Sequence, residues 1–80
     1  TSTFQLAGTV AIGEGSNQLT GTDTRFFDQV QEGDRVVIRG MTHVVSHITS
    51  NTSMSVTPDW RGVAGVSGVK IAKVQNLLKE

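Results

Sequence analysis

The chain has two histidines, and their spacing raises the question of a metal site. His43 and His47 are four residues apart, which on a helix would place both imidazoles on one face, as in zinc proteases. Their neighbours Val44, Val45 and Ile48 instead indicate a strand, on which residues four apart are separated by about 13 Å. A catalytic zinc also needs three protein ligands and a glutamate beside the first histidine, and the sequence supplies neither. We therefore predict exposed or half-buried strand histidines and no metal site.

The acidic residues do not form a calcium-binding or catalytic pattern. A calcium loop needs several oxygen ligands at close, fixed spacing, whereas two carboxylates that act on a glycosidic bond need a sugar held between them. The aspartates are spread over separate turns. Gly13-Glu14-Gly15-Ser16 joins two predicted strands, so no helix N-terminus follows it to bind a phosphate. We predict no catalytic residue, no cofactor and no enzymatic activity. The aspartates concerned are Asp23, Asp28, Asp34 and Asp59.

Trp60 and Arg61 are the remaining neighbours with binding chemistry. An exposed tryptophan beside an arginine can stack on a sugar ring or a nucleobase. Pro58 precedes this pair and ends a strand, since proline lacks the amide that a β-ladder needs. Trp60 and Arg61 are therefore our candidates for a ligand or subunit contact.

Composition limits the classes of function. A chain of 80 residues forms one small domain of marginal stability, and the lack of cysteine excludes disulfides as support. Seven Lys and Arg balance seven Asp and Glu, so the basic excess that binds nucleic acid or anionic membranes is missing. No apolar run approaches the roughly 20 residues that span a bilayer. We expect a homo-oligomer, with a trimer favoured, and neither a membrane nor nucleic acid as partner.

Alternating apolar residues and turn signals predict an all-β fold. The adjacent Phe26 and Phe27 interrupt the alternation and predict a short helical turn or crossover that plugs one end of the core. A change of parity between Val45 and Ile48 predicts a bulge near Ser46. Successive hairpins are predicted through the turns at 13–16, 40–41 and 50–52. The predicted strands cover about residues 4–12, 17–22, 35–39, 42–49 and 53–57.

We predict a small antiparallel barrel or sandwich of about five or six strands, with a short C-terminal helix or strand extension. Adjacent aromatic side chains divide between core and surface, and the predicted core takes Phe27 rather than Phe26. The predicted core residues are Phe4, Leu6, Val10, Ile12, Leu19, Phe27, Val36, Ile38, Val45, Ile48, Met54 and Val56.

The last segment of the chain has a different pattern. Ile71, Val74 and Leu78 are spaced three and then four residues apart, as in the seam of a coiled coil. An isolated helix of this length is marginal in water, so it would need partner chains. We predict a β-module over residues 1–68 and a connecting or oligomerisation segment over residues 69–80. A last strand with a tail is the alternative for this segment.

Short motifs follow one another in a set order between residues 8 and 65. This ordered set resembles a small β-module that recurs in bacteriophage head-fibre, tail-fibre and other minor virion proteins. Glu32 stands where that family commonly has proline, and His43 where an aromatic residue is usual. The motifs are Gly8-Thr9-Val10, Leu19-Thr20-Gly21-Thr22, Phe26-Phe27, Glu32-Gly33-Asp34, Val36-Val37-Ile38, Gly40, Val45-Ser46-His47-Ile48, Asn51-Thr52-Ser53-Met54-Ser55-Val56 and Asp59-Trp60-Arg61-Gly62-Val63-Ala64-Gly65.

The resemblance implies a structural module of a phage fibre or decoration protein. It also implies that Trp60 closes the edge of the barrel, so that packing in the core or at its edge is the favoured role of this residue. Such a module is located in the virion and contacts other virion proteins, such as those of the capsid or tail. One alternative is a host-receptor or carbohydrate-binding module. A second is a nucleic-acid-binding small barrel, because residues 32–40 resemble the opening of ribosome-associated barrel motifs.

Overall fold

The computed structural model describes residues 2–75, which form one antiparallel β-sheet and a single turn of helix. The predicted all-β class is confirmed. No helix in this range is long and apolar enough to cross a membrane. The elements are β1 (Ser2–Gln5), β2 (Thr9–Ile12), β3 (Gln18–Thr22), α1 (Phe26–Gln29), β4 (Arg35–Ile38), β5 (Met41–Ser50), β6 (Ser53–Thr57), β7 (Val66–Val69) and β8 (Ile71–Gln75).

The sheet has eight strands in the order β1-β8-β4-β5-β6-β3-β2-β7, and it curls into a half-barrel. The predicted number of five or six strands is too low, because two long segments are each divided. Residues 2–12 and 66–75 run antiparallel along each other, and the Leu6 amide donates to the Ile71 carbonyl at 2.9 Å. Gly8, with a φ of 75°, lies between β1 and β2, whereas Gly68, with a φ of 64°, lies within β7 where the register with β2 shifts, and Lys70 separates β7 from β8.

The three predicted hairpins form, and the β4–β5 turn lies one residue earlier than the predicted 40–41. The β2–β3 hairpin pairs Ile12 with Leu19, and its turn is closed by a hydrogen bond from Ser16 N to Gly13 O at 3.0 Å. The β4–β5 turn consists of Arg39 and Gly40 with φ values of 51° and 78°, the left-handed pair that a tight two-residue hairpin requires. The β5–β6 hairpin pairs Ser50 with Ser53.

The predicted bulge in β5 is confirmed. The register between β5 and β6 shifts between Val45 and His47, so Ser46 is the extra residue. The bulge lets Val45 stay buried while His47 turns to the solvent.

The core occupies the inner face of the curled sheet and contains most of the predicted residues. Ile48 is half-buried and packs against it, whereas Phe4 is 42% exposed because the edge strand β1 lies outside the core. The predicted list omitted Phe26, Val30 and Ile71, all of which are buried, whereas Trp60, expected in the core or at its edge, is buried as well. The confirmed residues are Leu6, Val10, Ile12, Leu19, Val36, Ile38, Val45, Met54 and Val56.

The choice of Phe27 as the core aromatic is wrong. Phe26 is 1% exposed and Phe27 is 58% exposed. The chain enters α1 through the buried Thr24, whose hydroxyl donates to the Asn51 carbonyl at 2.6 Å, and the Phe27 amide donates to Asn51 Oδ1 at 2.9 Å. These bonds to the β5–β6 turn fix the orientation of the helical turn, so that Phe26 faces the sheet.

The C-terminal segment belongs to the sheet through Gln75. The predicted boundary after Gly68 falls inside β7, and β8 is paired with β1 on one side and β4 on the other. Ile71 is 1% exposed and lies in the core, so a coiled-coil helix does not form over Ile71–Gln75. Pairing on both sides satisfies the backbone hydrogen-bonding groups of these residues. An isolated helix of this length would be marginal in water. Leu78 and the rest of residues 76–80 lie outside the described residues.

Candidate functional site

Residues 58–65, the Trp60 strap, connect β6 to β7 and lie over the turn of the first hairpin. The Trp60 amide donates to the Ser16 carbonyl at 2.8 Å, and the Gly15 amide donates to the Trp60 carbonyl at 3.3 Å. The indole Nε1–H donates to the Ala64 carbonyl at 2.7 Å, which folds the strap around the ring. Trp60 therefore fastens the strap with its backbone and its side chain.

The Trp60 indole stacks on the imidazole of His43. The ring centroids are 5.8 Å apart and the planes differ by 14°. Trp60 is 4% exposed and His43 is 0% exposed. Gly62 completes the packing, since a Cβ at this position would overlap the indole ring. The stack covers the face of Trp60, so a sugar or base has no access to it.

His43 is a buried polar side chain with one nitrogen unsatisfied. Its Nδ1 lies 3.2 Å from the Met41 carbonyl, which can only accept, so Nδ1 carries the proton of the neutral ring. Its Nε2 is buried and has no hydrogen-bond partner among residues 2–75. A buried polar atom without a partner costs free energy, and protonation would add a second donor where no acceptor lies.

Arg61 is exposed and binds the sheet beside His43. Its guanidinium Nη2 donates to the Thr42 carbonyl at 3.2 Å. Burial lowers the pKa of His43 below its ordinary value of 6.5. The hydrogen bond to the Met41 carbonyl acts in the opposite direction, and the positive charge of Arg61 lowers the pKa further. The neutral form of His43 is therefore favoured in the folded chain.

The two histidines have separate environments. His43 is enclosed and cannot reach a substrate, while His47 is exposed and lies 3.1 Å from Glu32 Oε2. Within residues 2–75, no three His, Asp or Glu side chains gather as a metal site would require. The predicted location of His47 on the surface is confirmed, whereas the expectation of at most half-burial for His43 is wrong.

A shallow, open groove of 380 Å³ lies where β2, β3 and β7 meet. Its polar groups are uncharged, and the Gln18 side-chain amide is already bound to Ser55 Oγ at 2.8 Å. This lining offers hydrogen bonds but neither an ionisable group nor an aromatic ring. The lining residues are Ala11, Ile12, Gly13, Gln18, Thr20, Gly65, Val66 and Ser67.

A polar network ties α1 to the terminal strands. The Lys73 ammonium lies 3.3 Å from Asp34 Oδ2 and donates to the Gln29 carbonyl at 3.0 Å. The Gln29 side-chain oxygen accepts from the Ala7 amide at 3.0 Å, and Asp34 also accepts from the Gln31 amide at 2.9 Å. Asp34 thus bonds its own turn, as the sequence predicts, and holds β8 as well.

The two outer strands of the sheet are open to pairing. No strand in the described range pairs with the outer side of β1 or of β7. All four residues of β1 are exposed, and neither strand contains a charged residue or proline. Natural sheets usually protect their edges with such residues. These two edges are therefore suited to bind a further strand.

The predicted site residues do not come together. Trp60 is in the core, and Arg61 lies on the surface beside it. Ile71 is in the core, and Val74 is a half-buried residue of β8 opposite Thr3. A seam that uses Ile71 is not available, while Arg61 stays a candidate for a subunit contact.

The sequence contained a signal for the burial of His43 that the prediction did not use. His43 and Val45 have the same parity in β5, so an inward Val45 places His43 inward as well. The stacking partner, seventeen residues further on, has no such local signal. Known proteins do not add to this description, because no protein-family model, curated protein sequence or solved structure matches the chain significantly.

Proposed function

We propose that this chain is a structural module of a bacteriophage fibre or decoration protein, and that it acts by assembling into an oligomer, with a trimer favoured. The observation that carries the proposal is the pair of uncharged, open sheet edges, β1 and β7. The proposed location is the virion, where capsid or tail proteins are the further partners. The module acts through its shape and through the number of contacts that its oligomer offers, and not through covalent chemistry.

The two edges differ from each other, which favours a head-to-tail contact. When β1 of one copy pairs with β7 of the next, the assembly still has one free edge of each kind, and a ring forms once the rotation closes. The net charge of zero means that copies do not repel one another. The exposed ring of Phe4 on β1 adds apolar area to such a contact.

The roles of the motif residues are consistent with this proposal. Gly33 and Gly40 have φ values of 93° and 78° in turns, and a Cβ at Gly21 would overlap the side chain of Thr24. These residues serve backbone conformation and packing. The resemblance to phage virion modules thus rests on residues that shape the module.

The mass of the chain in solution tests the proposal. We expect multi-angle light scattering at tens of micromolar to give three times the chain mass of 8.5 kDa. Thr3→Lys on β1 and Ser67→Lys on β7 should each give monomers, because a charge on an open edge opposes strand pairing. Thr49→Lys is the matched control, since Thr49 is exposed on the inner strand β5 and its substitution should keep the oligomer.

A monomeric wild-type chain under these conditions would contradict the proposal, and unchanged mass in both edge variants would exclude the edges as the interface. The two alternatives have their own tests. Binding on a glycan array would support a carbohydrate-binding module, and a salt-dependent shift of DNA would support a nucleic-acid-binding barrel.

A further inference from the structure

We propose that His43 and the Trp60 strap form an acid-sensitive latch, in which neutral His43 holds residues 58–65 on the sheet and protonated His43 releases them. The proposal concerns a conformational response of the module and is independent of its assembly. Its basis is a fully buried imidazole, an unpartnered nitrogen and a strap that depends on the ring stacked against that imidazole.

No carboxylate among residues 2–75 binds the ring of His43 directly. Its partner in β4 is Val36, and its own strand contributes the Met41 carbonyl, which is already bound to Nδ1. The strap contributes Trp60, the positively charged Arg61 and the exposed Asp59, which makes no ion pair with His43. Lys73 of β8 lies opposite Val36, and its charge is paired with Asp34 on the turn before β4. A proton on Nε2 thus adds a positive charge that Arg61 opposes and that no carboxylate binds.

One contact opposes the effect. The face of an indole attracts a cation, by about 0.5–2 kcal/mol. Burying an uncompensated charge together with an unsatisfied donor costs several kcal/mol. The imidazolium is therefore destabilised where it is buried, and release of the strap, which also gives up the burial of Trp60, is the local movement that would let it reach water.

The strap is suited to local release because few bonds hold it. Its backbone is tied to the first hairpin through Trp60 alone, and Arg61 binds the Thr42 carbonyl from the surface. Opening would expose the indole and free the backbone groups of Gly15 and Ser16. The ladders of the sheet do not pass through residues 58–65 and would stay intact. Acid would thus uncover a large aromatic surface on a folded module.

The composition of the chain makes this testable with tryptophan fluorescence. Trp60 is the only tryptophan, and His43 and His47 are the only histidines. The intact chain is titrated from about pH 8 to about pH 5, the range in which histidine gains a proton. We expect a red shift of the emission maximum and a several-fold rise in quenching by acrylamide, with unchanged far-ultraviolet circular dichroism. Emission intensity alone is not used, because an imidazolium quenches a stacked indole even when the strap stays closed. The emission maximum and the quenching by acrylamide report the exposure of Trp60 instead.

Matched variants of the two histidines show which of them causes the fluorescence transition. His47→Gln should keep it, while His43→Phe, which preserves a ring but cannot bind a proton, should remove it. Arg61→Gln should move the midpoint to higher pH by taking away a positive neighbour. If His43→Phe does not fold, His43→Gln and the nuclear magnetic resonance titration of the His43 ring in the wild-type chain give the assignment.

Three results would overturn the latch. The first is an emission maximum and quenching that stay constant to about pH 5 while the His43 ring is shown to bind a proton. The second is a fluorescence transition that persists in His43→Phe or is absent from His47→Gln. The third is loss of circular dichroism together with the fluorescence change, which would mean unfolding of the whole sheet.

Discussion

The strap and α1 are fastened at opposite ends of β5 by different chemistry. Arg61 of the strap binds the carbonyl of Thr42, and α1 binds the turn at Asn51. Each segment buries one aromatic ring, Trp60 in the strap and Phe26 in α1. Around Phe26 the polar groups are paired, whereas the polar ring under Trp60 has an unsatisfied nitrogen.

The difference teaches where the module can respond to its surroundings. At α1, Lys73 has both a carboxylate and a carbonyl as partners, so its charge is compensated. At the strap, burial favours the neutral form of His43. Both ends bury an aromatic ring, but only beneath the strap does a buried histidine face that ring.

The largest expected effect is the loss of either aromatic ring. Trp60→Ala and Phe26→Ala should each lower the free energy of unfolding by about 3–5 kcal/mol, because each leaves a cavity in the core. Phe27→Ala is the control for Phe26→Ala and should cost no more than about 0.5 kcal/mol, since Phe27 is exposed. Urea unfolding monitored by circular dichroism measures these values. Equal losses for Phe26→Ala and Phe27→Ala would refute the assignment of Phe26 to the core.

The local structure of this chain could be predicted from its sequence, and the hairpins are the best example. The Arg39-Gly40 turn and the bulge at Ser46 depend on a few neighbouring residues, whose turn chemistry and parity are visible in the sequence. The inward positions of β2, β3, β4 and β6 follow from the same alternation.

Long-range contacts decided the parts that could not be predicted. The choice between Phe26 and Phe27 depends on hydrogen bonds to Asn51, more than twenty residues away. The heptad-like spacing of Ile71 and Val74 fits a helix as well as a strand, and pairing with β1 and β4 decides it. The stack of Trp60 on His43 likewise needs the strap to fold back onto β5.

The next effect in size concerns the fit of the strap around its ring. Gly62→Ala should cost about 1–3 kcal/mol, because the new methyl group overlaps the indole and forces it to move. Gly33→Ala is the control: Gly33 has a φ of 93° and open space around it and does not bind the strap, so the cost is backbone strain of about 1–2 kcal/mol. Only Gly62→Ala should shift the emission maximum of Trp60. Equal shifts for both variants would show that the strap is not packed through Gly62.

The pH dependence of stability distinguishes the two ends more finely. The pKa of His43 is lower in the folded chain than the 6.5 of the unfolded chain, so the unfolded state binds more protons below about pH 6.5. Stability is therefore full above that value and falls as the pH drops toward the folded pKa, by at most about 1.4 kcal/mol per pH unit. His43→Phe should remove this decline and His47→Gln should keep it. A decline that is unchanged in His43→Phe would assign it to other groups.

The smallest expected effect lies in the charge of the Lys73–Asp34 pair. Both side chains are 26% exposed, so solvent screens the pair, and Asp34→Asn should cost only about 0.5–1 kcal/mol. Asparagine keeps an oxygen for the Gln31 amide, and Lys73 keeps the Gln29 carbonyl, so the variant removes little besides the charge. The loss of unfolding free energy in Asp34→Asn should shrink in high salt, because salt screens the ion pair, whereas the effect of His43→Phe should not depend on salt in this way. Because the two ends share no partner, the double variant Asp34→Asn/His43→Phe should change the free energy of unfolding by the sum of the changes in the two single variants. A sum that fails by more than about 0.5 kcal/mol would mean that the strap and α1 respond as one unit.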